Sequence, residues 1–435
     1  MKSNYLKIGS LGIQHVLAMY AGAVIVPLIV GGALQLTPEQ LTYLVSIDIL
    51  MCGVASLLQV YSTRFSGIGL PVMLGCTFTA VTPMIAIGSE YGITSIYGAV
   101  IAAGIIVILI SKFFGKLVRF FPPVVTGSVV TIIGITLIPV AINNLAGGQG
   151  AEDFASLQNL GLGFGTLLVI IVLYKFSTGF LRSVSVLLGI ILGTVAAAFM
   201  GMVDFSSMAS ASWFHMPKPF YFGTPTFEIT PIITMTLVAI VSLVESTGVY
   251  FALGDICNKK LTEKDLEKGY RAEGIAIVFG GLFNAFPYTT FSQNVGLLQM
   301  SGVKTKNVIY AAGIFLIAFG LVPKIGALTT IIPSAVLGGA MVSMFGMVVA
   351  AGIKMLSRVN FESQENLLII ACSIGMGLGV TVVPSLFEQL PAGISILTNS
   401  GIVMGSLTAI ILNILLNMIG KKPSLQSRIQ EQKAS

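Results

Sequence analysis

The chain has 435 residues, of which 55% are hydrophobic and only 9% are charged, and its mean hydropathy is +0.95. This amount of apolar surface cannot be enclosed in a soluble core, so the composition excludes a soluble enzyme and leaves no room for a separate soluble domain. The net charge of +6 does not indicate a nucleic-acid partner, because the basic residues are spread over loops, a pattern that reports orientation in a lipid bilayer.

Apolar windows follow one another along nearly the whole chain, and a spanning helix needs about 20 apolar residues. The first seven lie at roughly 11–34, 41–61, 68–88, 94–111, 117–141, 160–178 and 183–202. The second seven lie at roughly 230–255, 271–286, 292–303, 307–323, 328–353, 365–384 and 398–420. The first window is too long for the apolar part of a signal peptide. We therefore predict an all-α polytopic membrane protein with fourteen segments.

The basic residues test this topology, because cytoplasmic loops are enriched in lysine and arginine. If the N-terminus is cytoplasmic and the chain crosses fourteen times, all but two of the 23 basic residues lie inside, and only Lys218 and Lys324 lie outside. A single crossing over residues 271–303 would reverse this pattern, whereas two crossings or none preserve it. The sequence thus predicts a multi-pass protein of the cell (cytoplasmic) membrane with both termini in the cytoplasm.

Two halves of seven segments enter the membrane in opposite directions, which predicts an inverted repeat. The first repeat is expected at residues 1–215 and the second at 216–435. Short echoes agree, since Phe121–Gly127 resembles Ile332–Gly338 at an offset of 211 residues. The long stretch from Met202 to Glu228 is predicted to be an external connector between the halves.

Two segments are predicted to be broken. In the tenth segment, Pro287, Thr289 and Thr290 disfavour a helix, whereas Ser292 opens a new one. The third segment has similar breakers around Pro71–Phe78, so the two stretches are expected to pair as short antiparallel strands at the membrane centre. Non-helical backbone at that depth is tolerated only beside protein or a cavity, which makes it a pointer to a binding site. The alternative is an external loop followed by a polar-capped helix.

Carboxylates inside the windows are candidate functional groups, because an ionised side chain at mid-helix costs roughly 2.5–3.5 kcal/mol. Glu245 lies halfway along its window between small residues, with no basic residue in its segment before Lys259. Burial without a countercharge favours its neutral form, so we expect Glu245 to be functional and to carry a proton. Glu273 could be functional or structural, and Asp48 could be a structural hydrogen-bond partner.

Other chemistry has little support in the sequence. His15 in the first segment is a candidate proton carrier, although a lone histidine in a membrane more often makes a buried hydrogen bond. The four cysteines have no paired spacing and imply neither a disulfide nor a metal site. Neither a phosphate-binding loop nor a Ser/His/Asp arrangement is found. We therefore predict no enzyme activity, no metal and no cofactor, with H+ as the coupling ion.

Four motifs, in order and with compatible spacing, resemble the nucleobase-ascorbate transporter family, also called nucleobase:cation symporter-2. They are Gln14–Gly22 in segment one, Leu74–Ala80 in segment three, Glu245–Gly248 in segment eight, and Gln293–Gly296 followed by Ser301-Gly302 in segment ten. The resemblance covers essentially the whole chain and is greatest to bacterial xanthine permeases. It implies core and gate domains, with a purine nucleobase bound between segments three and ten and co-transported with a proton.

The resemblance also implies roles for particular residues. Glu245 matches the family's substrate-binding glutamate, and Glu273 matches its acidic residue in segment nine. Gln293 and Asn294 match the amide pair that opens segment ten, and His15 matches a histidine of segment one. Uracil-type members carry a glutamate where Gln293 stands, so the amide favours an oxidised purine.

The remaining predicted substrate-binding residues are Phe78, Thr79 and Phe291. The two phenylalanines could flank a flat ring or only line the wall, and some relatives have asparagine where Thr79 stands. Many relatives also have a polar residue at the position of Val249. The sequence thus favours proton-coupled import of xanthine, with urate import, a passive nucleobase channel or a membrane enzyme as alternatives. We also expect a homodimer.

Overall fold

The structure is a computed structural model that describes residues 2–117, 121–148, 150–387, 389–390, 398 and 400–419. Its first half contains helices α1 (Lys2–Ala33), α2 (Pro38–Val60), α3 (Val81–Tyr91), α4 (Ile93–Leu117), α5 (Pro123–Leu145), α6 (Leu157–Phe176), α7 (Gly179–Ser183), α8 (Ser185–Phe199) and α9 (Ser206–Ser210). The second half contains α10 (Ile229–Ile256), α11 (Glu263–Leu282), α12 (Ser292–Ser301), α13 (Lys306–Gly320), α14 (Pro323–Thr330), α15 (Ser334–Leu356), α16 (Gln364–Val382) and α17 (Gly401–Asn413). The strands are β1 (Leu74–Cys76) and β2 (Tyr288–Thr290), and short 3-10 turns occur at Phe78–Ala80 and Pro384–Phe387.

Nine of the helices in the described ranges are long and apolar enough to cross a membrane. Together with α8, α11, the bent α13–α14 pair, and the two broken segments β1–α3 and β2–α12, they make fourteen segments. The prediction of an all-α polytopic protein with fourteen segments is thereby confirmed. The predicted windows at 271–286 and 292–303 correspond to α11 and α12.

Helix α14 is not predicted by hydropathy, which divides the region into windows at 307–323 and 328–353. The structure turns the chain by 78° after α13 and starts α14 at Pro323. Proline suits the first turn of a helix because its missing N–H would have no partner there. Lys324 in this turn donates to the Met208 carbonyl oxygen at 3.2 Å, and its ammonium group lies over the Trp213 ring.

Helix contacts divide the segments into two bundles. One, called the core bundle, contains α1, α2, α4, α10, α11 and α13 with the two broken segments. The other, called the gate bundle, contains α5, α6, α8, α15, α16 and α17. Each bundle takes segments from both halves of the chain, so the bundles interleave the predicted repeats. This division agrees with the core and gate domains expected from the family resemblance.

Contacts between helices come in pairs related by the repeat. Helix α2 packs on α13 where Gly53 meets Gly313, and the corresponding pair α4 and α11 packs where Gly104 meets Gly274. Small residues allow such close helix approach in membranes. The inverted repeat is thus visible in the packing, while the boundary at residue 215 stays a prediction.

Helices α5 and α15 pack on each other through the same glycine–leucine contact at both ends of the pair. Gly127 of α5 meets Leu356 at the end of α15, and Gly338 of α15 meets Leu145 at the end of α5. The two glycines are 211 residues apart, and so are the two leucines. A two-fold axis between the helices would produce this reciprocal arrangement.

Basic loops predicted to be cytoplasmic meet at one end of the core bundle. Lys259 Nζ donates to the Ile68 carbonyl oxygen at 3.1 Å, and the Gly67 amide donates to the Lys268 carbonyl oxygen at 2.9 Å. The connector binds the core bundle through Lys218, whose carbonyl oxygen accepts from Tyr43 Oη at 2.8 Å. The grouping of the basic loops agrees with the predicted topology, and which end is cytoplasmic stays a prediction.

Candidate functional site

The two broken segments meet in an antiparallel strand pair, as the sequence predicts. Leu74, Gly75 and Cys76 of β1 lie opposite Thr290, Thr289 and Tyr288 of β2. The backbone ladder continues beyond the strands, because the Phe291 amide donates to the Met73 carbonyl oxygen at 2.9 Å. All six strand residues are buried. Pairing supplies backbone partners that lipid could not provide at this depth.

Glu245 lies on α10 beside β2. Its Oε2 atom accepts a hydrogen bond from Thr289 Oγ1 at 3.4 Å, and its side chain is partly exposed. The structure thus places Glu245 next to the broken tenth segment, and its role in substrate binding stays a prediction. Of the two salt bridges in the part of the chain that the structure describes, Lys259–Asp265 and Arg271–Glu267, neither involves Glu245.

Thr79 belongs to a buried group of three hydroxyls. Its Oγ1 atom lies 2.6 Å from Thr77 Oγ1 and 2.9 Å from Ser242 Oγ. These contacts tie the start of α3 to α10, one turn before Glu245. Since its hydroxyl already has two partners, Thr79 fixes the position of α10 against the third segment, and direct contact with a substrate stays a prediction.

Phe78 and Phe291 are neighbours, with ring centroids 6.4 Å apart and planes tilted by 36°, and whether they flank a substrate ring stays a prediction. Both side chains are buried, and Phe78 also meets Phe345 of the gate bundle edge-on at 5.3 Å. The Phe291 ring lies between Gly22 of α1 and Gly75 of β1, where an added Cβ atom would collide with it. Phe291 is therefore held on both sides by glycines.

A cavity of about 430 Å³ lies between the core and gate bundles. Gln293 and Phe291 line it from the core side, and Met344 of α15 lines it from the gate side. It extends to Arg182, one of the basic residues predicted to be cytoplasmic. Glu245 is not among its lining residues. Its volume falls within the range of about 300–1,000 Å³ that is usual for small-molecule sites.

Glu273 is fully buried near the middle of α11, because the helix begins eight residues before the window predicted by hydropathy. Its Oε1 atom accepts a hydrogen bond from Tyr250 Oη, and its Oε2 atom accepts from Ser246 Oγ at 3.2 Å. Tyr250 in turn accepts from Gln59 Nε2 at 2.6 Å. Glu273 thus belongs to the same polar region as Glu245.

His15 and Asn294 contact each other. Asn294 Nδ2 donates to the His15 carbonyl oxygen at 2.9 Å and lies 3.1 Å from His15 Nδ1. The buried side chain of Asn294 therefore links α12 to α1. It does not cap α12, because the N-cap residue of that helix is Phe291, which has no side-chain capping bond. His15 also lines a second cavity of about 240 Å³ that includes Lys7.

Asp48 has the structural role that the sequence allowed. Its Oδ1 atom accepts from the Phe286 amide at 2.7 Å, and this bond fixes the chain just before β2. Its Oδ2 atom is buried without a hydrogen-bond partner. Within the described residues, no group of three or more His, Cys, Asp or Glu side chains could hold a metal ion.

Comparison with known proteins identifies the family. A sequence model described as a permease family, Xan_ur_permease, matches residues 6–386. The chain belongs to the nucleobase-ascorbate transporter family. It is therefore a multi-pass nucleobase permease and not an enzyme.

Several family members are similar over nearly their whole length. The xanthine permease of Bacillus subtilis (strain 168) is 66% identical, with all of both chains covered. The uric acid permease PucK of the same strain is 65% identical over 94% of this chain and 95% of its own. The uric acid transporter UacT of Escherichia coli (strain K12) is 45% identical over 94% of this chain and 85% of its own.

Solved structures of transporters for other solutes share the fold of this chain. The transmembrane domain of the cyanobacterial bicarbonate transporter BicA superposes with a TM-score of 0.63 at 17% identity, covering 89% of this chain and 97% of its own. The anion transporter Slc26a9 from mouse, in an inward-facing state, gives a TM-score of 0.56 at 13% identity and covers 92% of this chain and 68% of its own. At these identities the likeness concerns the fold alone.

Four residues of the polar region in this nucleobase permease were not predicted from sequence: Ser246, Thr289, Tyr250 and Gln59. Ser246 and Tyr250 are one and five positions after Glu245, so Tyr250 lies one turn beyond Ser246 on α10. Neither spacing is one helical turn from Glu245, so the pattern of polar residues on the face of the carboxylate does not indicate either of them. Gln59 of α2 reaches Tyr250 only through tertiary packing, which no local pattern indicates.

Proposed function

We propose that this permease is a proton-coupled symporter that imports xanthine across the cytoplasmic membrane. The observation that carries the proposal is the position of Glu245, which contacts Thr289 of the broken tenth segment, four residues before Gln293. Gln293 itself lines a cavity of sufficient size between the two bundles. A substrate bound across β2 could reach both side chains.

The chemistry of xanthine suits this pair of residues. Xanthine presents ring N–H donors beside carbonyl acceptors, the carboxylate of Glu245 accepts hydrogen bonds, and the amide of Gln293 both donates and accepts. A site built this way rejects analogues that leave its buried groups unpaired. A uracil ring is smaller and would leave part of the site empty.

Proton coupling is supported by the surroundings of Glu245. The carboxyl lies in a membrane helix, and the hydrogen bond that it accepts comes from the neutral hydroxyl of Thr289. A carboxyl without a countercharge can exchange a proton in the course of transport. If the same group binds the purine, proton affinity and purine affinity depend on each other reciprocally.

Urate is the second candidate substrate, because a relative named as a uric acid permease is 65% identical and one named as a xanthine permease is 66% identical. Identity therefore does not separate the two. Xanthine and urate share the pyrimidine ring edge and differ by the oxygen on the imidazole ring. A site that reads the shared edge would bind both.

The test uses purified protein in liposomes with an imposed proton gradient. We expect accumulation of labelled xanthine that a protonophore abolishes, competition by xanthine and urate, and weak competition by hypoxanthine and uracil. Recovery of unmodified xanthine accompanies transport. Uptake that only equilibrates, with or without the gradient, would instead indicate a passive channel.

Glu245→Gln keeps the shape and hydrogen bonding of the side chain but cannot titrate. We expect it to abolish accumulation against a gradient and to flatten the pH dependence of the remaining xanthine binding. The matched control is Glu362→Gln, which removes an exposed carboxylate from the loop between α15 and α16. If Glu245→Gln still accumulates xanthine under a proton gradient, the coupling proton binds elsewhere.

A further inference from the structure

Glu245 and Glu273 are connected by two hydroxyl groups. Thr289 Oγ1 lies 3.4 Å from Glu245 Oε2 and 3.3 Å from Ser246 Oγ. Ser246 Oγ lies 3.2 Å from Glu273 Oε2. The four groups form a continuous hydrogen-bonded row from α10 through β2 to α11, which we call the hydroxyl bridge. Ser246, Thr289 and Glu273 are buried, so bulk water does not compete for these bonds.

The number of hydrogens in the bridge is limited, because each hydroxyl can donate only one hydrogen bond. If both carboxyls are ionised, Thr289 donates to Glu245 and Ser246 donates to Glu273, and no hydrogen remains for the contact between the hydroxyls. If both are protonated, one hydroxyl hydrogen has no acceptor in the row. With one proton on the pair, every contact has one donor and one acceptor.

Two arrangements satisfy this count. In one, Glu245 is protonated and donates to Thr289, Thr289 donates to Ser246, and Ser246 donates to ionised Glu273. In the other, Glu273 is protonated and every bond runs the opposite way. The Thr290 amide donates to Ser246 Oγ at 3.3 Å in both, so Ser246 accepts two bonds in each arrangement. Buried polar groups strongly favour such complete pairing.

The remaining neighbours are compatible with either arrangement. Tyr250 donates to Glu273 Oε1, the oxygen that is not part of the bridge. Tyr270 bonds Thr247 at 2.6 Å, and Gln59 bonds Tyr250 at 2.6 Å. These groups are neutral, and neither salt bridge in the described residues reaches the two carboxyls. The proton can change its position without disturbing a countercharge.

We propose that Glu245 and Glu273 share a single proton, which passes between them through Thr289 and Ser246. The transfer is balanced within the bridge: Glu245 loses a proton to Thr289, Thr289 passes its own hydrogen to Ser246, and Ser246 passes its own to Glu273. The inference rests on the proposed proton symport. When xanthine donates N–H bonds to Glu245, the ionised form of Glu245 is favoured and the proton resides on Glu273. Ser246 and Thr289 are positioning residues that set the coupling.

The experiment separates coupling from binding. Ser246→Ala and Thr289→Val remove a bridge hydroxyl, while Ser246→Thr and Thr289→Ser retain it. In liposomes, we expect the first pair to lower proton-driven accumulation of xanthine by about tenfold, within the usual range of coupling between two sites. Counterflow exchange of xanthine, which requires no net proton movement, should fall far less. The retaining pair should restore accumulation.

Thr234→Val is the matched control, because Thr234 is also buried on α10 but donates only to the Thr230 carbonyl oxygen of its own helix. Its ratio of accumulation to exchange should equal that of the unmodified protein. Normal accumulation by Ser246→Ala and Thr289→Val would overturn the bridge while leaving symport intact. Equal loss of accumulation and exchange, without recovery in the retaining pair, would also overturn it. Failure of the unmodified protein to accumulate xanthine would overturn symport, and the bridge with it.

Discussion

At the scale of single residues, the proposed site combines one carboxylate and one amide on different elements. Glu245 is on α10 and Gln293 is in the first turn of α12. Gln293 is partly exposed and lines the cavity between the bundles. The side-chain amide can both donate and accept a hydrogen bond, whereas an ionised carboxylate can only accept hydrogen bonds. We therefore expect the amide at this position to influence which nucleobase is accepted.

Gln293→Glu tests this choice. A carboxylate at this position removes the donor and leaves a purine carbonyl without its partner, which costs about 1–3 kcal/mol. We expect the KM for xanthine to rise by about tenfold, with little change in expression, and uracil to become a better competitor. Transport assays with both bases measure the effect.

The control is Gln158→Glu, which places the same charge on the exposed first turn of α6. Its xanthine kinetics should match those of the unmodified protein. Unchanged xanthine affinity in Gln293→Glu would remove Gln293 from the binding site.

Several individual residues could be found from sequence because they violate the apolar pattern. Glu245 and Asp48 stand out as charges inside apolar windows, and Gln293 stands out by its motif. Glu273 was harder to place, since the charged first half of α11 hides where the helix begins. Hydroxyls such as Ser246 are common in membrane helices, so their role depends on partners that only the tertiary structure brings near.

At the scale of elements, the strand pair controls how closely α1 and α12 approach. Gly75 of β1 and Gly22 of α1 contact opposite parts of the Phe291 ring, and Phe291 is the residue that precedes α12. The ring cannot move away from one glycine without meeting the other. The orientation of α12, and with it Gln293, depends on these two glycines.

Gly75→Ala tests the dependence. A Cβ atom at Gly75 would lie 2.7 Å from Phe291 Cζ, and overpacking of this kind typically costs about 1–3 kcal/mol. We expect lower thermal stability and a marked loss of xanthine uptake, because Phe291 and the start of α12 are displaced together. Melting of the purified protein and uptake in liposomes provide the two measurements.

Gly346→Ala is the corresponding control, since no atom lies within 4 Å of a Cβ atom added there. Alanine also favours helix more than glycine does. Stability should be equal or slightly higher and uptake unchanged. If Gly75→Ala transports xanthine normally, the close approach to Phe291 is not required for function.

The strand pair could be predicted because proline and threonine interrupt the apolar pattern in both segments and the interruptions resemble each other. Helix α14 could not be predicted, since the bend after Gly320 keeps its apolar sequence continuous with that of its neighbours. Hydropathy records whether a residue is apolar, and it carries no information on the direction of the chain.

At the scale of the whole molecule, the arrangement of loops tests the membrane topology. The connection between segments eight and nine, which contains Lys259 and Lys268, contacts the loop at Gly67–Ile68, so two predicted cytoplasmic connections meet at one end. Cysteine labelling can assign this end to a side of the membrane. Cys257 and Cys372 are partly exposed and are first replaced by serine, whereas Cys52 and Cys76 are buried.

In that background, Lys264→Cys and Asp153→Cys each add one thiol at an exposed position, while Cys52 and Cys76 stay buried. We expect an impermeant maleimide added to intact cells to label Asp153→Cys and to leave Lys264→Cys unlabelled until the membrane is opened. The physical reason is the charge bias, which orients the basic loops toward the cytoplasm. Labelling of both positions from the same side would contradict the inverted repeat.

The reciprocal contact between α5 and α15 has an energetic consequence. Gly127 meets Leu356 as Gly338 meets Leu145, so exchanging the conformations of the two halves would remake the same contacts at the opposite ends of the helices. The states open to either face of the membrane would then have nearly equal free energy as far as this contact is concerned. The free-energy difference between the two states is then set by positions at which the halves differ. A small change in free energy at those positions would be enough to change which state is favoured.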